Sequence, residues 1–190
     1  MPSPIGHAVA GCAVVWAADL IDRRPSSARL ALAGAVLATT PDLDLLFAHF
    51  HRSATHSVVA VVLVFMIAAA VTGKVTPLRA SRYGGHSRFR IAAICAAAYA
   101  THLLLDWLGT DRFAPGGIQI WWPFGPRFYL SGWDIFDQTE RLHPFAPATI
   151  DQNARAVAKE IGYLAPIAAA LWLIRIKTLR RRGDGPFSSS

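Results

Sequence analysis

The chain has 190 residues, of which 53% are hydrophobic and only 16% are charged, and its formal net charge is +7. Soluble domains carry about 25% charged residues, so this composition excludes a disordered chain and indicates a membrane protein. The positive charge alone would suit nucleic acid, but the positions of the basic residues indicate a membrane topology, and no nucleic-acid partner is expected. Cys12 and Cys95 lie in apolar runs without metal-type spacing and are interpreted as packing residues.

Five apolar stretches follow one another along the chain. They cover approximately residues 5–20, 28–40, 57–72, 91–108 and 161–176. A membrane span needs about 20 apolar residues, so the last three stretches approach full length and the first two are short. Ser3 and Pro4 are typical of a helix start, and Pro41 ends the second stretch. The sequence therefore predicts an all-α, polytopic membrane bundle of four to five helices.

The segment between the fourth and fifth predicted helices has a different composition. Residues 109–153 are rich in Pro, Gly and aromatic residues and cannot form one long helix. Trp121, Trp122 and Trp133 are predicted to be anchors at the membrane–water interface, where an apolar ring with a polar edge is stable. We expect one membrane-embedded domain over residues 1–180, with a disordered tail at 181–190.

The distribution of charge predicts the orientation in the membrane. If all five stretches cross, one side receives 13 of the 19 Lys and Arg residues but 3 of the 12 Asp and Glu residues. Because Lys and Arg are retained in the cytoplasm, this side and the C-terminus are predicted to be cytoplasmic. The expected location is the inner (plasma) membrane, with membrane lipid as the natural partner, and the opposite side faces the periplasm or the exterior.

Histidine and carboxylate side chains gather on this opposite side. His102 and Asp106 are four residues apart, so they share one helix face about 6 Å apart along the axis. Imidazoles and carboxylates are ligands of Zn²⁺ and similar divalent ions. The alternative, that these residues only solvate the membrane boundary, does not explain two ionisable groups inside an apolar helix. The sequence therefore predicts a metal site. The residues sent to this side include His7, Asp42, Asp44, His51, Arg52, His56, His102 and Asp106.

Five short motifs carry a family resemblance. They are GH (6–7), PDLD (41–44), HRSATHS (51–57), HLLLD (102–106) and WWPF (121–124). In this order they resemble the LexA-regulated, inner-membrane YdjM-like metal-dependent hydrolases, over about residues 4–130. The resemblance implies a membrane-bound metal-dependent hydrolase.

A more distant resemblance is to the zinc-dependent phospholipase C and single-strand nuclease superfamily, which is all-helical. Carried over, it implies that the metal ligands are His7, Asp42, His51 or His56, His102 and Asp106. The chain lacks the downstream HxxxE of that superfamily, so one or two ions are expected, with zinc as the expected metal.

Individual roles follow from the chemistry of such a site. A divalent ion activates water near neutral pH. Asp44, two residues beyond Asp42, is the candidate general base. Asp106 is expected either to be a ligand or to orient His102. Arg52 is the candidate for holding an anionic oxygen, with a salt bridge to Asp42 or Asp44 as the alternative.

The expected depth of the site suggests the substrate. A metal site at headgroup depth, next to a Trp-rich segment, favours a lipid or phosphoester substrate. The alternative function is a non-catalytic metal-binding membrane protein or a small transporter. A transporter would carry ionisable groups near the middle of the bilayer, and the middles of the third and fifth predicted helices have none.

Overall fold

The structure is a computed structural model that describes residues 1–46, 52–73, 87–112, 114–141, 143 and 146–183. Within these ranges the chain forms five α-helices and no β-strand, which confirms the all-α prediction. The helices are α1 (Pro4–Asp22), α2 (Ala28–Thr39), α3 (Val58–Gly73), α4 (Arg88–Leu108) and α5 (Pro147–Gly183). A 3-10 helix (Thr40–Leu46) follows α2, and a second one (Ala54–His56) precedes α3.

Local sequence signals set several helix boundaries. The side chains of Ser3, Ser27 and Ser87 cap α1, α2 and α4, and each accepts a hydrogen bond from the backbone N–H three residues later. Pro4 occupies the first position of α1, where a missing N–H has no consequence. Arg23 ends α1 in the left-handed conformation, with φ 53°.

Among the described residues, three helices are long and apolar enough to cross a membrane: α1, α4 and residues Pro147–Leu179 of α5. The expected four to five spans are therefore not confirmed. Helix α1 begins at Pro4, as the Ser3 and Pro4 signal predicted, and runs to Asp22, two residues beyond the predicted stretch. The third stretch gives a helix of only 16 residues in the described part of the chain, and α2 has 12.

Helix α5 also departs from its predicted bounds. It begins at Pro147, well before the apolar stretch at 161–176, because its first three turns are polar and hydropathy cannot detect them. It continues to Gly183, so the predicted tail begins inside the helix, and residues 184–190 lie outside the described part of the chain.

A close backbone contact joins α1 to α2. A Cβ atom on Gly11 would collide with the carbonyl oxygen of Gly34, so the two helices cross at a distance that only glycine permits. Val15 and Leu30 are buried next to this crossing in one hydrophobic cluster. The contact holds the C-terminal end of α2 beside the first turns of α1.

A polar cluster fixes the other end of the bundle. Asp19 of α1 is fully buried and accepts hydrogen bonds from Arg90 of α4 (3.1 Å) and Arg175 of α5 (2.6 Å). Ser26 adds its hydroxyl (2.5 Å) and its backbone N–H (2.9 Å). One carboxylate thus joins the three candidate spans. Asp19 and Arg175 lie toward the C-terminal ends of α1 and α5, whereas Arg90 lies at the N-terminal end of α4. Helices α1 and α5 therefore run parallel to each other and antiparallel to α4.

The irregular segment after α4 packs on the opposite end of the bundle. Its buried side chains Ile118 and Phe136 contact the helices, and two isolated β-bridges join Gly109 to Phe136 and Ile118 to Tyr129. The N-terminus contacts this segment, since the Met1 carbonyl oxygen accepts a hydrogen bond from Thr139 N–H (3.1 Å). The predicted anchors Trp121 and Trp133 are 53% and 70% exposed.

The Gly11 contact gives a stability prediction. We expect Gly11→Ala to destabilise the protein by about 1–3 kcal/mol, because the new methyl group meets backbone that cannot move away independently. Gly162→Ala is the control, since a Cβ there meets nothing within 4 Å and alanine is the better helix former. Thermal unfolding of both variants in detergent measures the difference, and equal melting temperatures would contradict the close contact.

Candidate metal centre

Four chain segments bring five predicted ligands together at the end of the bundle opposite Asp19. His7 comes from the first turn of α1, Asp42 from the 3-10 helix after α2, and His56 from the 3-10 helix before α3. His102 and Asp106 project from one face of α4. The Asp42 side chain is 9% exposed, and the other four are fully buried. His51, the alternative to His56, lies outside the described residues.

The separations between donor atoms suit a metal ion. His56 Nε2 lies 3.1 Å from His102 Nε2, and Asp106 Oδ2 lies 3.3 Å and 3.2 Å from these two nitrogens. Donors bonded to a tetrahedral zinc ion at about 2.0–2.1 Å are roughly 3.3 Å from one another. Asp42 Oδ1 is 3.7 Å from His102 Nε2, and donor atoms of Asp42, His56, His102 and Asp106 all lie within 4.8 Å of one another.

The outer contacts of two imidazoles determine which nitrogen faces this centre. His102 Nδ1 lies 2.8 Å from the carbonyl oxygen of Ala38, which can only accept, so Nδ1 carries the proton and Nε2 presents a lone pair. His56 Nδ1 lies 3.1 Å from Asp44 Oδ2, which fixes the same tautomer. A carbonyl or carboxylate behind a histidine is the usual outer support of a metal ligand.

Asp44 belongs to this outer support. Its Oδ2 accepts hydrogen bonds from the Thr55 hydroxyl (2.6 Å) and the Arg52 backbone N–H (3.0 Å), in addition to its contact with His56. The Tyr99 hydroxyl donates to the Thr55 carbonyl (2.6 Å) and ties this turn to α4. Asp44 therefore lies on the far side of the His56 ring from the centre.

His7 completes the cluster from the other side. Its ring stacks on His102 with 3.8 Å between ring centroids, and its Nε2 lies 3.4 Å from Asp106 Oδ1. Asp106 thus contacts three imidazoles, His7, His56 and His102. Since His102 already has Ala38 behind it, Asp106 lies on the ligand side of that ring.

Six buried polar atoms of the cluster make no hydrogen bond: both ring nitrogens of His7 and both carboxylate oxygens of Asp42 and of Asp106. A buried polar group without a partner costs about 1–3 kcal/mol, and more when charged. A divalent cation would satisfy nitrogen and oxygen lone pairs at once. The donor set, the spacing and these unsatisfied atoms together fit a metal ion, with zinc compatible and its identity open to measurement.

The charge of His56 is consistent with a cation at this position. Burial lowers its pKa, but its contacts with the Asp106 and Asp44 carboxylates outweigh burial and raise the pKa to about 9. A metal ligand must be neutral, so an ion at Nε2 would compete with protonation of this ring.

The Arg52 side chain contacts the irregular segment after α4. Its guanidinium forms an ion pair with Asp111 and donates to the Pro115 carbonyl oxygen (3.3 Å), which ties the turn before α3 to the irregular segment. The alternative prediction for Arg52 was a salt bridge to Asp42 or Asp44, whereas its partner in the structure is Asp111. Arg52 has φ 65°, so its backbone turns sharply where its N–H meets Asp44.

Sequence reasoning missed two residues beside the centre. Glu160 of α5 is fully buried and accepts hydrogen bonds from the backbone N–H (2.8 Å) and hydroxyl of Ser3. Its Oε2 lies 2.6 Å from where a Cβ of Gly6 would be, which explains the glycine before His7. A glutamate just before an apolar stretch was the available signal.

The second missed residue is Arg141. Its Nη1 lies 2.6 Å from Asp42 Oδ1, and its Nη2 donates to the Pro2 carbonyl oxygen (2.5 Å). It follows a Pro- and Gly-rich segment that gives no sequence signal for a contact across roughly 100 residues, so only the fold reveals it.

Comparison with known proteins yields one match. The model of the family described as YdjM inner membrane protein matches residues 1–181, which confirms the resemblance inferred from the motifs. No curated protein and no solved structure matches the chain.

Removing a ligand should remove the ion. We expect detergent-purified wild-type protein to contain a stoichiometric divalent ion, and His102→Ala and Asp42→Ala to lose most of it, because each change deletes a donor from the centre. Elemental analysis after dialysis measures the content. His143→Ala is the control, since this histidine is exposed. Unchanged metal in both ligand variants would rule out the centre.

Two buried carboxylates contact opposite ends of α1: Glu160 of α5 binds Ser3 at its start, and Asp19 lies near its end. We expect Glu160→Gln to weaken metal binding about 10-fold, a typical effect of disturbing an outer support, because it loosens the turn that carries His7. Asp19→Asn should lower the melting temperature but leave metal affinity unchanged. Equal metal affinities in the two variants would limit Glu160 to a structural role.

Proposed function

Because the chain belongs to the YdjM inner membrane protein family, we propose that it is a metal-dependent membrane hydrolase acting on a phosphoester or lipid-type substrate. The observation that supports the proposal most is the convergence of five histidine and aspartate side chains with six buried, unsatisfied donor atoms. Helix packing alone gives no reason to bury so many polar atoms unpaired.

His7, Asp42, His56, His102 and Asp106 would hold the ion. A divalent ion there supplies Lewis acidity and activates water near neutral pH. The protein residues hold their lone pairs toward the ion: Ala38 fixes the His102 ring and Asp44 fixes the His56 ring. The two carboxylates, Asp42 and Asp106, would offset the charge of the ion.

Asp44 and Arg52 keep their predicted roles as proposals. Asp44 remains the candidate general base, and its position behind His56 indicates that it acts through that ring. Arg52 remains a candidate for holding an anionic oxygen, although its guanidinium is paired with Asp111.

The position of the centre favours a lipid-type substrate. His7 stands in the first turn of candidate span α1 and Asp106 in the last turn of candidate span α4, so the ion would lie near the end of both helices. The exposed Trp121, Trp122 and Trp133 lie in the segment that packs on this end. A substrate that partitions into the headgroup region would reach this depth.

The orientation is proposed from the charges. The end of the bundle that carries Asp19 also carries Arg23, Arg24, Arg90 and Arg175. We place this end in the cytoplasm and the metal centre toward the periplasm or exterior.

Activity is tested with a phosphodiester reporter and detergent-solubilised protein. We expect hydrolysis of bis(p-nitrophenyl) phosphate that is abolished by a chelator, restored by zinc, and lost in His102→Ala but not in His143→Ala. Release of p-nitrophenol measures the rate. A wild-type protein that holds its ion but gives no hydrolysis of this or a phospholipid substrate would favour the non-catalytic metal-binding alternative.

A further inference from the structure

Within the described residues, Asp42 lies at the edge of the candidate metal centre that is nearest to the surface. Among its five candidate ligands, four have fully buried side chains, whereas Asp42 is 9% exposed. In the described part of the chain, Asp42 is therefore the candidate ligand nearest to solvent, with its two carboxylate oxygens themselves buried. The side chains around Asp42 determine what can approach.

Arg141 is the cation at this edge. Its guanidinium lies against Asp42 with Nη1 2.6 Å from Oδ1, and its side chain is 19% exposed. The second contact, from Nη2 to the Pro2 carbonyl oxygen (2.5 Å), fixes the plane of the group. Arg141 is thus held both beside a candidate metal ligand and within reach of solvent.

We propose that Arg141 binds a phosphate group of the substrate at the Asp42 edge, next to the ion. This inference rests on the proposed metal-dependent function. A guanidinium and a divalent cation placed side by side both attract the same oxyanion, and the planar fork of arginine fits two phosphate oxygens. The substrate class is therefore a phosphoester rather than a neutral ester.

The geometry of the Arg141–Asp42 contact supports a role beyond charge neutralisation. The two groups are close enough for an ion pair, yet neither oxygen of Asp42 receives a hydrogen bond. The guanidinium has five N–H donors, and a pairing role would direct two of them at the carboxylate. When an ion neutralises the charge of Asp42, the Arg141 guanidinium can turn toward an incoming oxyanion and keep its hydrogen bond to the Pro2 carbonyl oxygen.

Arg52 offers a comparison. Its guanidinium is 12% exposed and paired with an almost fully buried partner, Asp111 at 1%. That ion pair compensates its charge and links two segments of the chain. Arg141 instead contacts a residue whose charge the ion itself would neutralise, so its own charge becomes available when the ion binds.

The test measures inorganic phosphate binding to the zinc-loaded, full-length protein by isothermal titration calorimetry. We expect Arg141→Gln to bind zinc at least as tightly as wild type but phosphate at least 10-fold more weakly. Arg141→Lys keeps the charge beside Asp42 but loses the fork, so it should fold as wild type does and bind phosphate with intermediate affinity. Arg112→Gln, which removes an exposed guanidinium nearby, is the control with unchanged binding.

The results distinguish a failure of the proposed function from a failure of the inference about Arg141. Wild-type protein that binds no zinc would contradict the proposed function and this inference with it. Zinc binding with equal phosphate affinity in wild type and Arg141→Gln, or a loss confined to Arg52→Gln, would overturn the inference alone. The same titration with dihexanoyl phosphatidic acid identifies where the phosphate group comes from. Tighter binding than that of inorganic phosphate supports a lipid headgroup, and equal binding supports a free phosphate.

Discussion

The carboxylate of Asp106 contacts three imidazoles, and the architecture of the candidate centre follows from its burial. Its oxygens lie 3.4 Å from His7, 3.3 Å from His56 and 3.2 Å from His102, and none of these contacts is a hydrogen bond. An ionised carboxylate inside an apolar bundle is stable only with a compensating positive charge. The first turn of α1 and the 3-10 helix before α3 therefore meet α4 at this point, together with a proton or a cation.

The scaffold meets this requirement by fixing α1 at both ends. Asp19 holds one end to Arg90 and Arg175, and Glu160 holds the other through Ser3. Between them the Gly11–Gly34 contact sets the distance to α2. These three contacts position the first turn of α1 so that the His7 ring stacks on His102.

The polar groups at the two ends of α1 have different surroundings. Asp19 is compensated by two guanidinium groups, so its cluster is closed and joins helices. At the other end, the polar atoms of Asp42, His7 and Asp106 lack hydrogen bonds, and the partly exposed side chain of Arg141 lies against Asp42. A satisfied network stabilises a fold, whereas an unsatisfied cluster of titratable groups is typical of a binding site.

Much of this was determined by the sequence itself. The composition indicated a membrane protein, and Ser3 with Pro4 marked the start of α1. The motifs around His7, Asp42, His56, His102 and Asp106 indicated both the family and the donors. These signals could be read because capping, hydropathy and ligand chemistry act over a few residues. Only the tertiary structure decided which atoms meet. The carbonyl behind His102, the Glu160–Ser3 clamp and the contact of Arg141 with Asp42 join residues 64, 157 and 99 positions apart. Such contacts depend on how whole helices cross, which is set by the summed packing of many side chains and by no local pattern.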